Sequence, residues 1–370
     1  MSDRRRLSIA LIASNRYPIR QPFAGGLEAH VWHLARALRR RGHRVTLFAA
    51  DGSDPDATDA NVRVQPFDPS AAANADPSTA PRRFLADHHA YLTLMTDLAA
   101  TGPDSFDVVH NHSLHYLPVA MAPALEIPML TTLHTPPTPW LESALGVSMG
   151  VGSDFVAVSR HTATAWQPIV RDIDVIANGI DLTCWPVGRG GPDLVWFGRL
   201  TPEKGAHLAI AAARRVGRRL HLAGPISDRR YFENTVVPSL GDDTLYHGHL
   251  DQPTLARLTG SCAAALVTPL GDEPYGLVVA EALACATPVA GFRRGGVPEI
   301  VDTESGRLAA PGDPDALAQA VTEAVGLDRG AARRRAVSHC GHDAMVESYL
   351  RRYRHLIAAG IAAQPAKAAT

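Results

Sequence analysis

The chain has 370 residues, 46% of them hydrophobic and 20% charged, enough for two domains with cores of their own and too apolar for a disordered polymer. Its formal charge of −1 excludes a global basic field that would hold nucleic acid or an anionic membrane by counterion release, so any anion must be met by a local site. No apolar run approaches the roughly 18 to 20 residues of a membrane span, so no transmembrane segment is expected.

Arg4, Arg5 and Arg6 ahead of residues 7–13 imitate a secretory leader, but the apolar stretch is only as long as the shortest such region, and it reads as a buried first strand over 8–13. Gly25 and Gly26 then open a helix over 27–41, in which Leu27, Val31, Leu34 and Leu38 repeat at i, i+4, i+7 and i+11. Short apolar runs at 45–49, 108–110, 129–133 and 155–158 read as further strands, and the Ala-, Asp- and Pro-rich stretch 51–81 as an irregular loop. The pattern breaks around Asn178-Gly179 and through 186–192, which places an interdomain linker there.

The second half repeats the theme: strand 194–197, helix 205–216, strand 219–223, helix 253–260, strand 263–268, helix 276–286, strand 288–292, and a helix over about 314–325 after Pro311. Alternating strands and helices predict parallel sheets covered on both faces, with ligands in the loops at the carboxyl ends of the strands. Cys184, Cys262, Cys285 and Cys340 lie far apart with no CxxC spacing, which argues against a zinc ribbon or disulfide framework and predicts reduced thiols in a cytoplasmic protein.

Positive charge is almost entirely arginine; the only lysines are Lys204 and Lys367. Arg199 and Lys204 fall in the loop after the 194–197 strand, where a planar fork and a compact point charge could meet one diphosphate, or could form a solvated surface pair. Gly25-Gly26 reads as a tight turn, or as a place where a helix N-terminus can approach phosphate. Downstream, Glu273 lies in a loop, free to accept from sugar hydroxyls, and the backbone amides near Gly276, Leu277 and Val278 are unpaired donors at a helix start. Glu281 lies one turn deeper among Leu277, Val278, Val279, Ala280, Ala282 and Leu283, where a carboxylate costs stability without a partner; a ribose diol or an arginine would supply one.

His110 and His112 fall on the same side of a strand end because side chains alternate with period two. They could be metal ligands, helped by His115 or His134, a hydrogen-bonding wall facing substrate, or core packing. The carboxylate triplets Asp54-Pro55-Asp56 and Asp172-Ile173-Asp174 read as turns.

In this order, Gly25-Gly26, His110-Asn111-His112, Leu133-His134-Thr135, Val158-Ser159, Asn178-Gly179-Ile180-Asp181, Gly198-Arg199, Lys204-Gly205 and Glu273 with Glu281 resemble the retaining nucleotide-sugar glycosyltransferases of family 4 over nearly the whole chain. The resemblance implies the α/β GT-B fold, two Rossmann-like parallel-sheet domains facing each other across a cleft. It implies an acceptor-binding domain over 1–185, a nucleotide-sugar-binding domain over 192–342, a helix over about 343–359 that returns to the first domain, and a tail over 360–370.

By the same resemblance Arg199 and Lys204 bind the donor diphosphate, with Gly25, Gly26, Tyr275, Gly276, Leu277 and Val278 around it. Glu281 holds the ribose, Glu273 the donor-sugar hydroxyls, and His112 faces the donor sugar. His134 and Trp140 offer an aromatic wall to the acceptor. The expected reaction is retaining transfer of a hexosyl group from a nucleotide diphosphate sugar, UDP favoured, to a small soluble acceptor, with no cofactor and no metal. A nucleotide-sugar epimerase of the same fold and a metal-dependent hydrolase using His110 and His112 are the alternatives.

Overall fold

The computed structural model describes residues 5–57, 60–63, 67–78, 80–101 and 104–363; Arg4, Lys367 with the tail beyond 363, and parts of the 51–81 loop lie outside them. Two parallel sheets follow one another along the chain. The first contains β1 (Ser8–Ile12), β2 (Arg44–Ala49), β3 (Ala60–Arg63), β4 (Val108–Asn111), β5 (Met129–Leu133), β6 (Ser153–Ala157) and β7 (Ile173–Val175), in the order β3-β2-β1-β4-β5-β6-β7. The second contains β8 (Leu194–Phe197), β9 (Leu220–Ala223), β10 (Thr244–Tyr246), β11 (Ala264–Val267), β12 (Val289–Phe292) and β13 (Gly306–Ala309), in the order β10-β9-β8-β11-β12-β13.

Central strands such as β8 and β11 are buried at every position, which is why their sequences are unbroken apolar runs rather than alternating ones. Strand order reverses between β1 and β4 in the first sheet and between β8 and β11 in the second. Loops diverge at these switch points and leave a crevice at the carboxyl ends of the strands.

Two expectations are corrected. The stretch 51–81 is not wholly irregular, because it contributes β3 and a short helix, Ala71–Asn74. Ile173, read as part of a turn, opens the edge strand β7, which pairs in parallel with β6 through Phe155, Val156 and Ala157. Only one sheet neighbour and one buried flank are needed there, so polar residues that resemble a turn are tolerated.

The helix His342–Ala363 returns to the first sheet. Its Met345, Val346, Tyr349, Leu350 and Tyr353 are buried with Leu7, Ile9, Leu11 and Val45 in one core. Its entry is fixed where Gly179 passes so close that a Cβ there would lie 2.6 Å from the His342 Cα. No helix among the described residues is long and apolar enough to cross a membrane.

Candidate active site between the two sheets

A cavity of about 450 Å³ opens between the sheets, lined by the loops after β1, β8 and β11 and by the starts of two helices. The first of these, Gly26–Arg40, has Gly25 as its N-cap, and the second, Leu277–Ala284, has Gly276; neither has a side-chain cap. Their first amide N–H groups and positive dipole ends are therefore left for a ligand. The helices also touch: a Cβ on Gly26 would lie 2.8 Å from the Leu277 Cδ1, so a larger residue there would have to displace the Leu277 side chain for the halves to approach this closely.

The loop after β8 supplies the cations. Gly205 has φ +68°, and a Cβ there would meet the Thr268 carbonyl oxygen at 2.3 Å, so glycine holds the loop against the end of β11. The Thr268 hydroxyl, itself accepting from the Trp196 indole N–H at 2.9 Å, reaches the carbonyls of Lys204 and Gly205, each at 2.9 Å. With its backbone fixed in this way, Lys204 projects into the cavity and pairs through Nζ with Glu273 Oε2 at 2.5 Å. Arg199 lines the same cavity, with a loose contact of 3.9 Å to Glu203.

Two further carboxylates border the cavity. Glu28, in the first turn of its helix, is buried, and burial raises its pKa, opposed by its own backbone N–H and the charges of Arg199 and Arg16. Glu281 borders the cavity at a depth where burial alone pushes its pKa up to about 8. Among the described residues no arginine or other side chain hydrogen-bonds to it, so the arginine alternative has no counterpart here.

The structure brings Gly25, Gly26, Arg199, Lys204, Glu273, Tyr275, Gly276, Leu277, Val278, Glu281 and His134 together around one cavity. His112 and Trp140 are not part of its lining. His112 is completely buried, its Nδ1 2.8 Å from the His134 Nε2 and its Nε2 3.1 Å from the His110 Nδ1; His134 is the ring exposed in the wall. Trp140 stacks instead on Tyr116 at 5.4 Å, with Phe84 at 5.7 Å, on an exposed aromatic ledge. His110 is saturated: its Nδ1 lies 2.5 Å from the Tyr353 hydroxyl and its Nε2 2.7 Å from the Thr132 hydroxyl. It has no lone pair free for a catalytic metal shared with His112, which removes the geometric basis of the hydrolase alternative.

Arg16, Asn178 and His249 also line the cavity and were not expected there as site residues, although Asn178 stands at the linker break and in the motif that resembles the family. The signal it carried is the Asn-Gly turn dipeptide; the structure adds that its Oδ1 is buried without a partner among the described residues. Arg16 and His249 carried none, lying in irregular loops far apart in the chain.

The chain matches a family model described as Glycosyltransferase Family 4 over residues 24–183 and one described as Glycosyl transferases group 1 over residues 191–326. It is 32% identical to a glycogen synthase of Mycobacterium tuberculosis, with 88% of each chain covered. It is 28% identical to a phosphatidyl-myo-inositol mannosyltransferase of Mycolicibacterium smegmatis, with 80% of each covered. Among solved structures, HepE of Anabaena in complex with UDP and glucose superposes with a TM-score of 0.74 at 16% identity, covering 94% of this chain and all of that one. The architecture is GT-B, two Rossmann-like parallel-sheet domains facing each other across a cleft.

Proposed function

Because the chain belongs to glycosyltransferase family 4, and is thereby an enzyme of the transferase class, we propose that it transfers a hexosyl group from UDP-sugar to a small soluble acceptor with retention of configuration. The observation that carries the donor reading is the pairing, in one cavity, of an unpartnered deep carboxylate, Glu281, with a cationic end made by Arg199, Lys204 and two glycine-capped helix starts. A nucleoside diphosphate has the complementary order of groups, a ribose diol followed by two phosphates.

In this pose the diol donates to Glu281, and the diphosphate accepts from Arg199, Lys204 and the amides of Leu277 and Val278. Glu273, already held beside Lys204, accepts from donor-sugar hydroxyls. The UDP preference draws support from the likeness to HepE, which binds UDP and glucose. Arg16 and His134, on the wall of the first domain, present a polar edge suited to a hydroxylated acceptor.

As the bond between the anomeric carbon and the phosphate oxygen breaks, negative charge grows on the terminal phosphate. Arg199, Lys204 and the helix amides stabilise that charge more in the transition state than in the ground state. The acceptor hydroxyl attacks from the face the phosphate leaves, and a phosphate oxygen takes its proton, so the step needs no protein nucleophile. None of the diphosphate contacts calls for a metal, since two side-chain cations neutralise it.

Epimerase and hydrolase activities are set aside by the family membership. A thermal-shift screen of UDP-, GDP- and ADP-sugars tests the donor: a ligand at about 100 times its Kd adds about 2.7 kcal/mol of stability. Stabilisation by UDP-sugars above the others is the expected result, and no shift with any nucleotide sugar would overturn the reading.

A further inference from the structure

At the His134 wall the structure gathers three histidines, of which His134 alone also lines the cavity and His30 and His112 lie behind it. We propose that His30, His112 and His134 form a binding site for a divalent late-transition metal ion of the zinc class, tying the first helix to the ends of β4 and β5. One ring nitrogen from each of the three lies within 4.8 Å of the other two. Zinc bonded to imidazole at about 2.0–2.1 Å in a tetrahedron holds its nitrogens about 3.3 Å apart, so side-chain adjustments of an ångström or so complete the site. Three imidazoles without a thiolate or carboxylate suit zinc and its neighbours rather than magnesium or calcium.

The second observation is independent of this spacing. His30 is 3% exposed, and neither of its ring nitrogens has a hydrogen-bond partner. Buried polar atoms are nearly always satisfied, and an orphaned ring beside two others is accounted for by a ligand they share. The ring centroids of His112 and His134 lie 5.3 and 5.1 Å from that of His30.

The surrounding bonds also accommodate usable tautomers. With its proton on Nε2, His112 donates to the His110 Nδ1 at 3.1 Å, an acceptor shared with the Tyr353 hydroxyl at 2.5 Å, and turns its own Nδ1 lone pair toward His134. His110 passes the pattern on by donating from Nε2 to the Thr132 hydroxyl at 2.7 Å, the arrangement by which outer partners orient metal-bound histidine. The one proton now shared between the His112 Nδ1 and the His134 Nε2 moves to the outer nitrogen of its own ring when the ion enters. Three neutral imidazoles become three ligands, and no proton is lost.

The test needs no turnover. The full chain, purified without a histidine tag, is incubated with zinc, freed of excess by gel filtration and assayed for bound metal. Wild type retains about one ion per chain, whereas His30→Leu and His134→Ala, checked for folding by circular dichroism, retain none. His33→Leu serves as a control, because His33, Asp181 and Cys184 form a second close group; it keeps the ion. Cobalt in place of zinc gives visible absorption of four-coordinate intensity in wild type and not in His30→Leu. If wild type retains no ion, or if His30→Leu retains as much as wild type, the assignment is overturned. Since His30→Leu replaces an orphaned ring with an apolar one, it should be at least as heat-stable as metal-free wild type and should lose the zinc-induced shift.

Discussion

If Glu281 accepts the ribose diol, nucleotide-sugar affinity must follow its ionisation. Burial raises this carboxyl to about 8, so in the free protein it is mostly protonated at neutral pH and offers a proton where the diol needs acceptors. Binding through the carboxylate must expel that proton, and affinity should rise with pH until the group is ionised. With a pKa of about 8, the ionised fraction grows about 25-fold between about pH 6.5 and about pH 8.5, and the association constant should grow with it. UDP-glucose is a suitable probe because its doubly esterified diphosphate has no proton to lose in that window. Burial pushes neighbouring Cys285 up to about 12, so it does not titrate alongside. Calorimetry across the window should show tighter binding at high pH in wild type and a flat, weaker profile in Glu281→Gln. Flat affinity in wild type, or an unchanged slope in Glu281→Gln, would refute the assignment. Without ligand the sign is opposite: the folded state holds a proton that the unfolded state releases above the ordinary carboxyl value of 4.5, so this group's contribution to stability declines as pH rises toward 8.

Lys204→Ala should lower kcat by about 10² to 10³, and Lys204→Arg should also be impaired because a planar fork replaces a point charge. Glu273→Gln should blur discrimination between donor sugars that differ in hydroxyl orientation. Because Lys204 and Glu273 are in contact, their combined loss should fall well short of the sum of the single losses, measured as a double-mutant cycle in kcat/KM. Gly26→Ala would put a Cβ 2.8 Å from Leu277 Cδ1, so it should raise the donor KM, and Leu277→Ala in the same chain should recover part of it. Gly205→Ala should destabilise by about 1–2 kcal/mol from left-handed backbone strain alone, with the clash at the Thr268 carbonyl added, read as a lower urea midpoint.

The central strands were legible because burial on both faces removes alternation and leaves runs such as Leu194–Phe197. Edge strands were not: β7 reads Ile-Asp-Val, and two of its three residues are exposed. Arg199, Lys204 and Glu273 were legible because they lie in loops that follow strands, and Glu281 because a carboxylate interrupts an apolar helix, whereas Arg16 and Glu28 were not. Nor were the mutual contacts, since Lys204 and Glu273 stand 69 positions apart. The histidines show where local rules stop. Period two places His110 and His112 on one side of β4, and their rings do touch. It says nothing of what covers that side, and the cover is Tyr349 and Tyr353, brought from the other end of the chain. A pair that could have faced substrate is thereby sealed behind His134.

Beside the apolar contacts of Gly26 with Leu277 and of Val158 with the second core, several contacts joining the two halves near the cavity are polar and involve few atoms. His249 Nε2 donates to the Phe23 carbonyl at 2.9 Å, and the Gln252 backbone N–H donates to the Gln21 side chain at 3.3 Å. On the other flank the backbone N–H groups of Arg160 and His161 donate to the Glu299 carboxylate at 3.0 and 2.8 Å. Such contacts lose little when water replaces them, because net hydrogen-bond stabilisation is only about 0.5–1.5 kcal/mol each. The helix that returns to the first sheet, by contrast, is held by five buried side chains. Loss of the rim contacts would therefore leave both cores intact and let donor reach Glu281, while Gly26 against Leu277 sets how far the halves close over it. On the proposed donor pose the two uncapped helix starts, one from each half, face the same diphosphate, so that anion site would be complete only while the halves meet, and phosphate binding would add to the contacts that hold them together.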